Sequence, residues 1–232
     1  PLNAVDSEKI PENLQMICNA YPEISFTITY DYPLNDWKIK IHRPKSKKTS
    51  ILYWAEGRIL PADKIDQAEL YWPIMYSYPE ESPEPKDFTK EHIEEIRRFT
   101  SEDSRRNTAG TPLDFFDAVY DSANRLSVES HISRVSFLGK YTNIHSQIAK
   151  PLARVEKRIL QLAKEDPEVQ TFINRLARCD SYNWREIGDR NSRSFHSYGI
   201  AVDILPKGWG KKNIYWAWRR DIDPDNWMNL SL

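Results

Sequence analysis

The chain has 232 residues, 40% hydrophobic and 12% aromatic, enough apolar material to bury a core as one large domain or two small ones. Lys plus Arg number 33 against 34 Asp plus Glu, a formal charge of −1, so no bulk field draws the protein to nucleic acid or to an anionic membrane. No apolar run approaches the length of a membrane span.

The chain opens with PLNAVDSEKIPENL, which lacks an initiator Met and lacks the basic and then apolar stretches of a secretory leader. The expectation is a leader already removed, or a trimmed chain. An opening helix and a small sheet follow. ISFTITYD (24–31), WKIKIHR (37–43) and SILYWAEGRILP (50–61) alternate apolar and polar residues, and Pro, Asn-Asp and Lys-rich turns interrupt them. Trp37, Trp54 and Trp72 belong to this part; they could present rings to glycan, but packing in a small core is the commoner use of such residues. YPEESPEPK (78–86) is proline-rich and acidic and reads as a linker or exposed loop. It divides a strand-rich N-terminal region, 1–85, from a second domain, 86–232.

Beyond it the pattern turns helical. Ile93, Ile96 and Phe99 recur at helical spacing behind a Thr cap. In TPLDFFDAVYDSANRL (111–126), Thr111 stands as N-cap, Pro112 at the first helical position and Asp114 three residues after the cap. Two amphipathic helices come next, divided near Asp166-Pro167, the first with an apolar stripe of Leu152, Val155, Ile159 and Leu162. YNWREI (182–187) and GIAVDIL (199–205) supply the sheet that these helices cover. The expected fold class is α+β, with helices packed on a small antiparallel sheet that carries the candidate site. Cys18 and Cys179 are the two cysteines and lack CxxC spacing, which excludes a cysteine zinc ribbon and a thioredoxin-type centre. They read as two small buried residues, or as a pair in an exported protein.

SRSFHSYGIAVDI (192–204) ends an apolar run on a carboxylate, seven residues after a histidine. As a strand from Gly199 to Leu205 it puts Ile200, Val202 and Ile204 on one face, and Ala201 and Asp203 on the other. Gly199 permits the loop bearing His196 to fold back over that second face. An imidazole and a carboxylate converging this way form two-thirds of a His/Asp/His zinc site, whose fourth position is left to water. Taken alone, a His near an Asp is more often a hydrogen-bonded structural pair. The wider pattern changes the balance. Ser194, His196, Gly199, Ala201 and Asp203 form S-x-H-x-x-G-x-A-x-D, which resembles the signature of the D-alanyl-D-alanine carboxypeptidase type of zinc metallopeptidases. That group includes D-Ala-D-Ala dipeptidases and the L-alanyl-D-glutamate endopeptidases of phage and bacteria. Upstream, Tyr182 and Arg185 are similar to the family's Tyr-x-x-Arg segment. LDFFDAVYDSANRLSVESHISRVSFLGK through YWAWRR is similar to a larger-bodied bacterial branch, so the likeness covers about residues 110 to 220.

The resemblance implies zinc ligation by His196 and Asp203. It also implies an Arg185 that stabilises the oxyanion of a peptide carbonyl under attack, and substrate contacts from Ser194 and Tyr182. For Arg185 the bland alternative is a surface ion pair with Glu186 or Asp189. The implied activity is hydrolysis of D-amino-acid-containing stem peptides of peptidoglycan, by an exported, periplasmic or cell-envelope protein. The chain also departs from the family. The third zinc ligand, a His, and the catalytic Glu stand further along in the family, yet here no His follows His196 and no Glu follows Glu186. Asp221, Asp223 and Asp225 sit in a Pro-containing stretch that reads as a solvated turn, and His145 is the nearest upstream candidate. The expectation is therefore a chain that stops short of its last strands. The alternative is a catalytically inactive cell-envelope binding or interaction protein on the same fold.

Overall fold

The computed structural model describes residues 3–4, 10–44, 48–77, 89–99, 101, 103–104, 108–187 and 192–208. The proline-rich stretch 78–86 lies wholly outside that set, as do YWAWRR and the three late aspartates.

The N-terminal half is a four-stranded sheet in the order β1-β2-β3-β4, formed by β1 (Asn3–Ala4), β2 (Ser25–Asp31), β3 (Asp36–His42) and β4 (Thr49–Tyr53). β2, β3 and β4 are antiparallel neighbours, with Ile28 opposite Ile39 and Ile39 opposite Leu52. These apolar partners are the inward set of each alternating strand, so one face is buried, and α1 (Glu12–Ala20) covers it with Leu14 and Ile17. The reading of 50–61 as one strand is corrected: pairing with β3 ends at Tyr53, and a short helical turn at Ala55–Gly57 follows with left-handed backbone at Ala55 and Glu56.

α2 (Lys90–Phe99) lies next along the chain, and α3 (Leu113–Tyr120) after it. α3 starts later than the sequence pattern suggests. Pro112 is its N-cap, with an extended backbone, and Asp114 makes no capping bond but an ion pair with Lys64 at 2.8 Å. α3 ends at Asp121 in left-handed conformation, and α4 (Arg125–Glu129) begins from an Asn124 cap whose side chain accepts from the Ser127 amide. β5 (Ile132–Phe137) and β6 (Lys140–His145) form a hairpin turned at Leu138 and Gly139, both with positive φ. α5 (Ala149–Glu165) and α6 (Pro167–Arg175) are divided at Asp166, which caps α6 by accepting from the Glu168 amide, with Pro167 in the first turn. Leu152 and Ile159 face a small core of Phe137, Leu138, Leu176 and Cys179, whereas Val155 and Leu162 of the same expected stripe are exposed.

β7 (Leu176–Asp180) pairs antiparallel with β10 (Asp203–Pro206), and β8 (Glu186–Ile187) pairs with β9 (Ser192–Arg193). The expected strand 199–205 is thus mostly turn and loop. Its apolar residues share no face: Ile200 packs on the main core, Val202 on the small one, and Ile204 is exposed. The expected strand 182–187 likewise contracts to β8. Helices and small antiparallel sheets together make an α+β fold. The main core joins α1 and the β2–β4 sheet to Phe115, Phe116 and Val119 of α3 and to Tyr198 of the signature.

Candidate functional site

His196 sits in a one-turn helix, Phe195–Tyr198, that the sequence closes at both ends. Ser194 caps it, its hydroxyl accepting from the His196 amide at 3.4 Å, and Gly199 ends it in left-handed backbone at φ 69°. At Gly199 the chain runs against the β5–β6 hairpin, where the His145 amide donates to the Gly199 carbonyl at 2.9 Å. A Cβ on Gly199 would lie 2.7 Å from Ile132 Cδ1 and 2.8 Å from the His145 nitrogen, so no other residue fits without displacing backbone.

Asp203 is the first residue of β10 and stands opposite Asp180, the last of β7. The residue after Asp180, Ser181, holds the other side of the pair: its carbonyl is 2.8 Å from His196 Nδ1. A carbonyl only accepts, so Nδ1 carries the proton, and in the neutral ring Nε2 presents a lone pair. That lone pair faces Asp203 Oδ1 at 3.4 Å. Two acceptors face one another across a gap that a proton or a metal cation fills favourably. The backbone carbonyl behind Nδ1 is the outer partner that usually orients a metal-binding imidazole. His196 is shielded, with 15% of its side chain exposed, and Asp203 is open at 60%, so the gap is reached from the carboxylate side. Among the described residues no third His, Cys, Asp or Glu joins them to complete a metal-holding group.

Tyr182 and Arg185 lie on the segment held against this turn. The Asn183 amide donates to the His196 carbonyl at 3.0 Å. Buried Ser197 receives the Arg185 amide at 3.0 Å and donates its own hydroxyl to the Arg185 carbonyl at 2.6 Å. The Arg185 backbone is therefore pinned beside His196, while the residue itself is exposed; its expected ion-pair partners, the Glu186 side chain and Asp189, lie outside the described set. The Tyr182 hydroxyl donates to Glu129 at 3.1 Å, and Arg125 beside Glu129 holds that carboxyl below its usual range.

His145 is not brought to the pair. Its Nε2 donates to the Tyr120 carbonyl at 2.9 Å and its Nδ1 accepts from the Gln147 amide at 3.2 Å, an arrangement open only to the neutral ring, and burial pushes its pKa down to about 4. It lines a groove of about 430 Å3 with His131, Arg43 and Asp121. There Asp121 accepts from Arg43 at 2.6 Å and pairs with His131 Nε2 at 3.1 Å. Cys18 and Cys179 are both free and buried, in different cores.

Sequence reasoning missed three residues that hold the site: Ser181, which acts through its carbonyl, Ser197, and Arg193, whose buried guanidinium joins Asp117 and the Ser122 carbonyl. A contact through backbone leaves no side-chain signature. Arg193 could have been suspected only from its place immediately before the motif.

A family described only as a domain of unknown function (DUF8518) matches residues 13–76, the stretch of α1 and the β2–β4 sheet, which does not reach the His196 turn. No curated protein and no solved structure matches the chain. Among the described residues no helix is long and apolar enough to cross a membrane.

Proposed function

We propose that the chain carries the metal-binding part of a zinc peptidase site that acts on D-amino-acid-containing stem peptides of peptidoglycan, in the cell envelope. One observation supports this above the rest: His196 Nδ1 is committed to the Ser181 carbonyl, which leaves Nε2 facing a solvent-open carboxylate at 3.4 Å with no proton donor of its own to offer in the neutral ring. Nitrogen and oxygen donors of this kind suit zinc. His196 and Asp203 would hold the ion as two of its ligands, and the group, when bound, supplies an activated water and a Lewis acid. The chain's own residues do the rest. Arg185, exposed on a backbone fastened to Ser197, would offer its cation to a carbonyl oxygen that gains charge. Ser194 caps the turn that carries His196, its hydroxyl accepting from the His196 amide.

Zinc analysis of the purified chain by mass spectrometry, with His196→Ala and Asp203→Asn beside it, tests the reading. Zinc should bind the wild type, and each substitution should lower the affinity by about tenfold or more. Equal zinc in all three proteins ends the proposal. Muropeptide digestion with and without a chelator then reports on hydrolysis.

A second reading has its own support: among the described residues no third ligand stands by the pair. On that reading the protein is an inactive envelope-binding or interaction protein, which retains muropeptides without cleaving them.

A further inference from the structure

The turn that carries His196 is fastened at its far end by Gly199 and along its side by Ser197. At its near end, where β9 pairs with β8, one buried side chain joins the turn to α3. Arg193 precedes the Ser194 cap and is 8% exposed, and its guanidinium spans from β9 to α3, where it donates to Asp117 Oδ1 and to the Ser122 carbonyl. The same guanidinium lies over the Tyr198 ring at 4.8 Å and near the Trp184 ring at 5.4 Å. Tyr198 is the last residue of the turn and is fully buried in the main core, so one cation ties both ends of the turn to α3. Asp117 is held in turn, its carboxylate accepting from the Ser122 hydroxyl at 2.9 Å. Without this tie the turn would still be chained at Gly199, at Ser197 and through the β8–β9 pairing, and Phe195 would still meet the Phe116 ring, but the buried ion pair that anchors its entry to α3 would be gone, and with it the setting of how the His196 ring meets the Ser181 carbonyl.

We propose that Arg193 is the positioning residue of the His196–Asp203 pair: it sets the approach of the imidazole by clamping the turn to α3, and it touches neither metal nor substrate. The inference rests on the zinc reading for its purpose, and the test separates the two. Removing the arginine alone strands a buried carboxylate and risks unfolding, so two other variants carry the experiment. Arg193→Lys keeps the charge but reaches only one of its two acceptors. The double variant Arg193→Met/Asp117→Leu replaces the pair with apolar groups, an exchange that buried ion pairs often tolerate.

Each protein is examined as the full chain by amide NMR for fold, by ring nitrogen shifts of His196 at fixed pH for its tautomer, and by zinc titration. The expected result is a preserved fold in both variants, loss of the single Nδ1-protonated tautomer, and zinc affinity lower by about tenfold, the usual cost of disturbing an outer partner. A folded variant that keeps the wild-type tautomer overturns the proposal, whatever its thermal stability. Should the double variant fail to fold, Arg193→Lys decides by the same criterion. A wild type that binds no zinc, with the tautomer still lost in the variants, sinks the zinc reading and leaves the clamp standing.

Discussion

His145 shows how a single buried side chain sets a pH limit on the whole fold. Both ring nitrogens are used, one as donor and one as acceptor, and a proton added to Nδ1 would turn it against the Gln147 amide that it now accepts from. Burial is the first cause of its low pKa, about 4 against an ordinary 6.5, and the neighbouring His131 and Arg43 charges push the same way. The unfolded chain therefore binds a proton at higher pH than the folded one. Stability from this group is complete above pH 6.5 and is lost as pH falls from 6.5 toward 4, by roughly 3 kcal/mol in all. His131 is shifted the same way, by burial first and Arg43 second, and adds to the loss with the same sign. The charged groups that line the groove with His145 are Arg43, Asp121, His131 and Glu23. Urea midpoints measured across that pH window should fall with acid in the wild type. In His145→Gln, which starts less stable, the slope should be visibly flatter. Parallel slopes would mean that His145 is not the group responsible.

The signature turn and the β5–β6 hairpin meet at a point where neither has room to yield. Gly199 has φ 69°, and a methyl there would come within 2.7 Å of a side-chain carbon and 2.8 Å of a backbone nitrogen. Gly199→Ala should cost about 2 kcal/mol or more, from left-handed backbone together with the clash, and should weaken zinc binding at the adjacent turn. Denaturant unfolding and zinc titration of the one variant read both effects. Little loss of stability would show that the hairpin can move away. This contact was half legible beforehand. A glycine between a histidine and a carboxylate pointed to a chain folding back, but the partner it folds against lies more than fifty residues upstream and leaves no trace in local spacing. The same distinction runs through the other elements. Asp166-Pro167 marked the break between α5 and α6 because cap and proline act locally, and β2 and β3 were legible because each buries one alternating face. The 199–205 stretch misled because its alternation has a different origin. Ile200 and Val202 are each claimed by a different core, so no sheet face was ever being encoded. At the site itself, His196 and Asp203 were legible as residue types at a spacing, whereas the Ser181 carbonyl and the Arg193 clamp exist only once the chain has folded.

For the whole molecule the question is whether the β2–β4 sheet can unfold apart from the half that bears the signature. The main core argues against separate units. Phe115 of α3 is fully buried, meets Tyr21 edge-on at 5.7 Å and Phe116 at 5.5 Å, and shares one cluster with Leu14, Ile28 and Ile39 on one side and Tyr198 on the other. Tyr198 in turn closes the His196 turn and carries the Arg193 guanidinium. Apolar surface buried jointly is exposed jointly, so loss of either partner withdraws stability from both. Phe115→Ala should cost about 3–5 kcal/mol, the usual penalty for a large aromatic cut from a closed core. The loss should appear as one shifted transition, identical by tryptophan fluorescence, which reports mainly on residues before 73 and after 183, and by far-UV circular dichroism. Two transitions, with only the earlier one displaced, would mean that 1–85 and 86–232 fold as independent domains. The site would then owe nothing to the N-terminal sheet. A single transition would instead make the β2–β4 sheet part of what holds His196 in place, because the turn reaches that sheet through Tyr198 and α3.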